Sequence, residues 1–526
     1  MDRVSPLEWP ARDLVSHRVA STSGRTAVID AGADKSWTFR ELDRRVETAA
    51  RELQELLEVP REDRLGLLLD TRPAFATLFF AAMRLGTTVV PLNVRETTAE
   101  LAGKAERTGI DAIVCEHETE AAALELADAL EDAPTPVRSV DEPTSGRVRT
   151  LAVGEEPTHG EFRPAVEPAK LEPDDVQLIL FTSGTSGEPK GVRLTVGNLV
   201  ASATASAFRL GVDREDRWLC CLPMYHMGGL APVVRSALYG TPVVIQREFG
   251  PRRTARALER FEATGVSLVP TMCTRLLEAG WEPPERLRFV LLGGAPASSE
   301  LLERCREAGV PVHPTYGMTE TASQIATATP AETETHEGTA GQPLLFTDVT
   351  VVDESGEPVP RGEIGEFVVS GPTVTPGYLE AERTEAAFGE RGLHTGDVGY
   401  ADADGRLWVL NRRSDRIVTG GENVDPGAVA DVLRGHPAVA DAAVVGLEDP
   451  EWGERVAALL AAEAGSVDLE SVLGHCDDHL AGFKRPKTIA VAESLPRTHS
   501  GTVDREVVRT RLLESGTDVS TWSRRE

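Results

Sequence analysis

Between residues 40 and 115 the chain alternates two hydrophobic periods. "ELDRRVETAARELQELL" (41–57) repeats apolar positions three and four apart, the spacing of one helix face. "AFATLFFAAMRLG" (74–86) reads as a buried helix closed by Gly86. "RLGLLL" (64–69), "TVVPLN" (88–93) and "DAIVC" (111–115) are short apolar runs of strand length. This βα alternation predicts a parallel sheet covered by helices. A Pro- and acid-rich stretch at about 130–172 predicts a mobile surface segment. The alternation resumes at "DVQLILF" (175–181) and runs through "WLCCLP", "TPVVIQ", "VSLVP", "RFVLLGG" and "PVHPTYG". From about 341 to 411 the runs "DVTVVD", "GEIGEFVVSG" and "GRLWVLN", separated by Gly and Pro turns, predict a small antiparallel unit. A mixed α/β tail follows "RRSDR", with no internal repeat or heptad pattern. The expected fold is α/β: a large N-terminal domain of stacked βα sheets over 1–411, with a small β-barrel-like unit at about 341–411, then a small α+β C-terminal domain over 412–526.

Composition narrows the function classes. A chain of 526 residues is too long for one core, and 41% apolar residues suffice for packed interiors. Acidic residues outnumber basic ones by 84 to 55, a net charge of −29 that repels nucleic acid and anionic membranes. Lysine is scarce beside arginine. GC-rich codon usage accounts for that scarcity but not for the acid excess, which points to a protein adapted to high salt. Six scattered cysteines, with Cys220 and Cys221 adjacent, form no CxxC pair, so neither a zinc ribbon nor a disulfide framework is indicated. The start of the chain lacks an apolar signal region, and no apolar run reaches the roughly 18 residues of a membrane span. A reducing cytoplasm is the expected compartment, and a homo-oligomer stays open.

Candidate chemistry begins at "FTSGTSGEPKG" (181–191). It follows an apolar strand, at the sheet edge where open α/β folds bind ligands. Gly184 and Gly187 let backbone amides approach an anion, Thr182, Ser183, Thr185 and Ser186 add hydroxyl donors, and Lys190 adds a cation. The stretch suits a polyphosphate, although no Walker A spacing is present. A flexible surface turn explains the Gly and Ser but not the retained lysine.

This stretch resembles the phosphate loop of the adenylate-forming superfamily: acyl- and aryl-CoA ligases, luciferases and peptide-synthetase adenylation domains. Five further motifs match in order: "LPMYHMGGL" (222–230), "LLGGAPAS" (291–298), "TYGMTETASQ" (315–324), "LHTGDVGY" (393–400) and "NRRSDRIVTGGENVDP" (411–426). Together they cover about residues 30–512. The resemblance implies an ATP- and Mg²⁺-dependent enzyme that joins a carboxylic acid to AMP and then to a thiol, with a C-terminal domain that rotates between the two steps.

Carried over residue by residue, the resemblance gives Gly293, Gly294 and Ala295 to the adenine, where an ordinary tight turn is the alternative. Tyr316 and Gly317 also go to the base. Thr319 is assigned to the α-phosphate and Glu320 to Mg²⁺; a solvated Glu capping a helix is the alternative. Asp397 and Arg412 are implied for the ribose, against an Asx turn and a linker arginine. His226 is implied to gate the acyl pocket, against a core histidine beside Met224 and Met227. Gly420 and Gly421 would line the thiol tunnel. Lys484, in "FKRPK" (483–487), could pair with CoA phosphates or belong to a plain surface cluster. "HCDDH" (475–479) is not read as a metal site, because the neighbours His475 and Cys476 cannot easily share one ligand sphere.

No carrier-protein domain is visible after the last motif, which favours free CoA as the thiol. "TYGMTETASQI" with "TGGENV" most resembles the o-succinylbenzoate–CoA ligases of menaquinone synthesis. Ser323 and Gln324 would then hydrogen-bond a polar acyl group, and Arg235 is a candidate partner for the second carboxylate, unless it is a surface arginine. Another aryl- or medium-chain acyl-CoA ligase, or a non-catalytic nucleotide binder, stays open. The binder is prompted by "LPRTHSGTVDR" (495–505), where Thr502 stands in place of the family's usual lysine. Arg497, His499 or Arg505 could supply the missing charge.

Overall fold

The computed structural model describes residues 11–130, 135–154, 165–182, 189–412, 417–419, 422–424, 426–450, 452–462, 467–498 and 502–520. The helical pattern of 41–57 is realised as the helix Phe39–Leu56. Thr38 and Glu41 form a reciprocal capping box at its start, and Phe39, Leu42, Val46, Ala49, Ala50 and Leu53 make its buried face. Helix Pro73–Leu85 is buried along nearly all its length and ends at Gly86, whose φ of +74° is the left-handed conformation that closes helices.

These helices cover an eight-stranded sheet. In spatial order its strands are Gly377–Tyr378, Lys190–Thr195, Val176–Thr182, Thr88–Pro91, Arg64–Leu68, Ala112–Cys115, Val137–Ser139 and Arg149–Thr150. A nine-stranded sheet holds the later βα units. Its parallel core runs Val312–Tyr316, Phe289–Leu292, Gly265–Leu268, Trp218–Cys220, Val243–Ile245. The nine-stranded sheet is parallel at its centre and antiparallel at both margins, whereas the eight-stranded sheet turns antiparallel only at the end that carries Val176–Thr182, Lys190–Thr195 and Gly377–Tyr378, so the expectation of a parallel sheet holds away from those margins.

The stretch at 130–172 departs from expectation. Val137–Ser139 and Arg149–Thr150 extend the eight-stranded sheet, and Val137, Val148, Leu151, Val166 and Leu171 are buried. Strands this short carry too few residues to show a period, and the Pro and acid content hid them.

Strands Asp348–Val352, Gly365–Ser370, Gly392–Ala401, Phe388–Gly389 and Leu407–Arg412 form a five-stranded sheet in the region of the expected β unit, with Gly392–Ala401 antiparallel to both Phe388–Gly389 and Leu407–Arg412. By contacts the chain divides into two compact units, 1–349 with 369–393, and 350–368 with 394–526. In the second unit a six-stranded sheet, centred on Gly453–Ala461, packs against helices Pro426–Arg434, Leu469–His479 and Arg505–Ser515. Among the described residues no helix is long and apolar enough to cross a membrane.

Candidate functional site

The polar stretch is flanked by two strands of one hairpin. Val176–Thr182 and Lys190–Thr195 pair antiparallel, with Thr182 opposite Lys190 as the last rung. Ser183, Gly184, Thr185, Ser186 and Gly187 lie outside the described residues. The Lys190 ammonium sits 5.2 Å from the centre of the Tyr378 ring. Tyr378 reaches this position because Gly377–Tyr378 adds to the hairpin as a further antiparallel strand, with Tyr378 opposite Val192. Its hydroxyl donates to Glu320 Oε1 at 2.9 Å. Tyr378 and Glu320 are both buried, at 3% and 6% exposure. Lys190, Tyr378 and Glu320 therefore form one connected group from three separate segments.

Glu320 belongs to a tightly folded turn. Strand Val312–Tyr316 leads into the short 3-10 helix Thr319–Thr321, and Ile325 then donates its amide back to the Tyr316 carbonyl at 2.8 Å. The closure demands glycine at 317, where a Cβ would stand 1.7 Å from the Ser323 carbonyl oxygen. It also holds Ala322 and Ser323 at φ of 50° and 127°, conformations that non-glycine residues rarely adopt. Ser202 pins this corner by donating to the Ala322 carbonyl at 2.8 Å. Tyr316, Gly317, Thr319, Glu320, Ser323 and Gln324 are thus gathered on one loop.

Behind that loop lies Arg235, on the helix Met227–Tyr239 that His226 begins. Arg235 is 1% exposed, which overturns the reading of a surface arginine. It donates to Ser323 Oγ at 3.2 Å and Gln324 Oε1 at 2.8 Å, and its guanidinium lies 5.1 Å from the Trp218 ring centre. Its Nε has no partner, and no carboxylate pairs with it among the described residues. Burial lowers its pKa, but a guanidinium starts so far above neutrality that it stays charged.

Gly293, Gly294 and Ala295 follow strand Phe289–Leu292, beside the strand that ends in Tyr316. A Cβ on Gly293 would lie 2.6 Å from Thr315 Cγ2, so the small residue sets how closely the two strand ends approach. The His226 ring is half-buried and edge-on to Tyr225 at 4.9 Å, while Met224 and Met227 point into the core.

In the second unit, Asp397 and Arg412 are direct cross-strand partners. Asp397 is 5% exposed, and its amide donates to Thr395 Oγ1 at 3.0 Å. Gly420 and Gly421 lie outside the described residues. Lys484 ends the 3-10 turn Gly482–Lys484, and Lys487 lies 3.6 Å from the ring centre of the exposed Trp452. Thr502 shares a hydroxyl–hydroxyl bond of 2.7 Å with Thr498, and Arg497 pairs with Asp441 at 2.8 Å. His499 lies outside the described residues.

Tyr378 is the site residue that the sequence reading missed. Its only local signal is "PGYLE", a turn followed by an aromatic, and its partners are far away in sequence.

Two family models match the chain: AMP-binding enzyme over residues 15–379, and AMP-binding enzyme C-terminal domain over 428–502. The 2-succinylbenzoate–CoA ligase of Bacillus cereus is 36% identical over 496 residues, covering 94% of this chain and 96% of its own length. That of Bacillus velezensis is 37% identical over 499 residues, covering 94% and 96%. Among solved structures, o-succinylbenzoate CoA synthetase of Bacillus subtilis with its acyl-adenylate intermediate matches with a TM-score of 0.85 at 35% identity, covering 95% of this chain and 98% of that one. The same enzyme with ATP and magnesium ion gives 0.84 at 34% identity, covering 95% and 99%.

Proposed function

Since this chain belongs to the AMP-binding enzyme family, we propose that it is an ATP-dependent acid–CoA ligase forming 2-succinylbenzoyl-CoA from 2-succinylbenzoate, ATP and CoA. In the first step a carboxylate oxygen of the acid attacks the α-phosphorus, and pyrophosphate leaves with the electrons of the broken P–O bond. In the second the CoA thiol attacks the acyl carbon, and AMP leaves. The barrier to the first step is crowding of negative charge at phosphorus, so fixed cations and donors around the phosphates dominate its catalysis.

Lys190 supplies the cation at the hairpin mouth, with Thr182 and the residues of 183–187 as donors, and Thr319 is the donor for the α-phosphate. Gly293, Gly294, Ala295, Tyr316 and Gly317 hold the adenine, and Asp397 with Arg412 holds the ribose. Glu320 fits a magnesium ion by its donor chemistry: a hard carboxylate with one oxygen fixed by Tyr378 and the other without a described hydrogen bond. Bound there, the metal would neutralise phosphate charge.

The observation that carries the choice of acid is Arg235. A buried guanidinium with no carboxylate partner among the described residues, bonded to Ser323 and Gln324, is an expensive arrangement. A substrate with a second carboxylate removes that cost, whereas benzoate or a fatty acid does not. His226 stands at the start of the same helix as the gate of the acyl pocket. Lys484, with Lys487 beside Trp452, is assigned to the CoA phosphates, and Gly420 and Gly421 to the thiol route. A C-terminal domain beginning at about residue 412 turns between the half-reactions. The −29 charge fits work at high salt, and six free, buried cysteines fit a reducing cytoplasm.

ATP–pyrophosphate exchange at molar salt, with 2-succinylbenzoate, benzoate and octanoate compared, tests the reading. Exchange that is fastest with 2-succinylbenzoate and lost in Lys190→Ala is the expected result. Preference for another acid overturns the substrate, and absence of exchange with every acid overturns the ligase.

A further inference from the structure

We propose that Arg107 is a positioning residue for the phosphate-binding hairpin, a role that rests on the ligase reading above. Arg107 lies in the last turn of helix Thr98–Thr108. That helix is fixed at its start by the Thr97–Glu100 capping box, at its end by Gly109 with φ of 58°, and along its length by buried Leu101, Ala105 and Thr108. From this base the guanidinium reaches three groups at once. Nη1 donates to the carbonyl of Pro189 at 2.8 Å, one residue before Lys190. Nε donates to Glu380 Oε1 at 2.9 Å. Its central carbon lies 5.3 Å from the centre of the Phe181 ring, one residue before Thr182.

Thr182 and Lys190 are partners across the last rung, so Arg107 grips both sides of the hairpin mouth. Glu380 ties the same guanidinium to the segment carrying Tyr378, and the Leu379 amide donates to the Gly191 carbonyl at 2.8 Å. One side chain therefore links the two flanks of the phosphate loop to the Tyr378–Glu320 pair. Lys104, one turn earlier and tied to Glu96, lies over the same ring at 5.4 Å. An ordinary exposed ion pair contributes little and its loss leaves turnover unchanged. The bond to Pro189 is different, because it fixes the backbone on which Lys190 is mounted. A planar guanidinium can stack and donate in two directions together; an ammonium cannot reproduce that geometry.

The test separates the half-reactions in the full chain. ATP–pyrophosphate exchange with 2-succinylbenzoate reads the step that uses the phosphates. Thioester formation from CoA and added 2-succinylbenzoyl-adenylate reads the step after pyrophosphate has gone. In Arg107→Ala we expect exchange to fall roughly tenfold to a hundredfold, the scale of an ångström's misplacement, with KM for ATP raised and thioester formation within about twofold of the unsubstituted chain. Arg107→Lys recovers part of the exchange. Glu380→Gln, which keeps the shape of the pair should Arg107→Ala fail to fold, gives the same split at smaller amplitude. Equal loss in both half-reactions assigns Arg107 to fold support alone, and unchanged exchange assigns it to an idle surface pair; either overturns the proposal. If the unsubstituted chain shows no exchange, the ligase reading fails first, which the same assay reveals before any variant is made.

Discussion

Tyr378 donates its hydroxyl to Glu320 at 2.9 Å while its ring lies under the Lys190 ammonium, 5.2 Å away. One aromatic side chain thus orients both the anion assigned to magnesium and the cation assigned to phosphate. Tyr378→Phe removes only the hydroxyl. A buried hydrogen bond to a charged group contributes about 1.5–3 kcal/mol, so ATP–pyrophosphate exchange should fall roughly tenfold or more. The magnesium concentration for half-maximal exchange should rise. A magnesium titration of the variant checks this; an unshifted midpoint assigns the hydroxyl to packing.

Arg235 predicts a separation of stability from specificity. Arg235 has no carboxylate partner among the described residues, so the desolvation cost relieved in Arg235→Met offsets the hydrogen bonds lost to Ser323 and Gln324, and the variant should melt close to the unsubstituted chain. KM for 2-succinylbenzoate should rise at least about tenfold, because a charged hydrogen bond to the second carboxylate is lost. Any turnover of benzoate should be unaffected. Melting curves with KM values for both acids decide it, and a parallel loss for both substrates would tell against the assignment.

Gly317 tests the loop geometry. A Cβ there meets the Ser323 carbonyl oxygen at 1.7 Å, too close for side-chain adjustment to relieve. Gly317→Ala must move the backbone of 316–325 and should cost about 1–3 kcal/mol, the scale of overpacking, with loss of exchange. Urea unfolding measures the first effect. A variant of unchanged midpoint and activity would show that the loop closes less tightly than described.

The buried His313 predicts a pH dependence of stability. Burial lowers its pKa from 6.5, ahead of the raising effect of its contact to the Pro311 carbonyl at 3.1 Å. The unfolded chain therefore takes up a proton at higher pH than the folded one. The stability contribution is complete above about pH 6.5 and is lost as pH falls toward the lower folded value. His313→Phe should flatten this part of the profile between pH 7.5 and 5.5 in urea unfolding. A profile of unchanged slope removes His313 from the account.

What the sequence makes legible here is what repeats locally. The helix Phe39–Leu56 announces itself by its period and capping residues, and Gly86 by ending a buried helix. Lys190, Glu320 and Tyr316 are readable because each stands in a dense local motif. Tyr378 and Arg235 act through partners far along the chain, Glu320 and Gln324 among them, and no window of sequence contains both members. Burial of Arg235 is equally hidden, since an arginine on an amphipathic helix ordinarily faces water. The short strands Val137–Ser139 and Arg149–Thr150 are fixed by their neighbours in the sheet rather than by their own pattern.

Thr502 carries the last prediction. The family resemblance implies a lysine there, and Arg497, His499 and Arg505 are the candidates to replace it. Arg497 is committed to Asp441 at 2.8 Å, and a guanidinium already neutralised by a carboxylate is a poor source of charge for a phosphate. Thr502 itself is tied to Thr498, by the 2.7 Å hydroxyl contact and by the Thr498 amide donating to the Thr502 carbonyl at 2.7 Å. The backbone part of that tie does not depend on the side chain, so lysine can be accommodated at a cost of about 1 kcal/mol for the lost hydroxyl bond. A missing transition-state donor depresses a rate on the order of 10²–10³. Thr502→Lys should therefore accelerate ATP–pyrophosphate exchange by about tenfold or more, with a slightly lower melting temperature and little effect on thioester formation from added adenylate. If exchange instead holds steady or slows, the charge is already supplied from elsewhere. Arg497→Gln then becomes the decisive variant: loss of exchange in it would show that Asp441 orients that guanidinium for catalysis rather than retiring it.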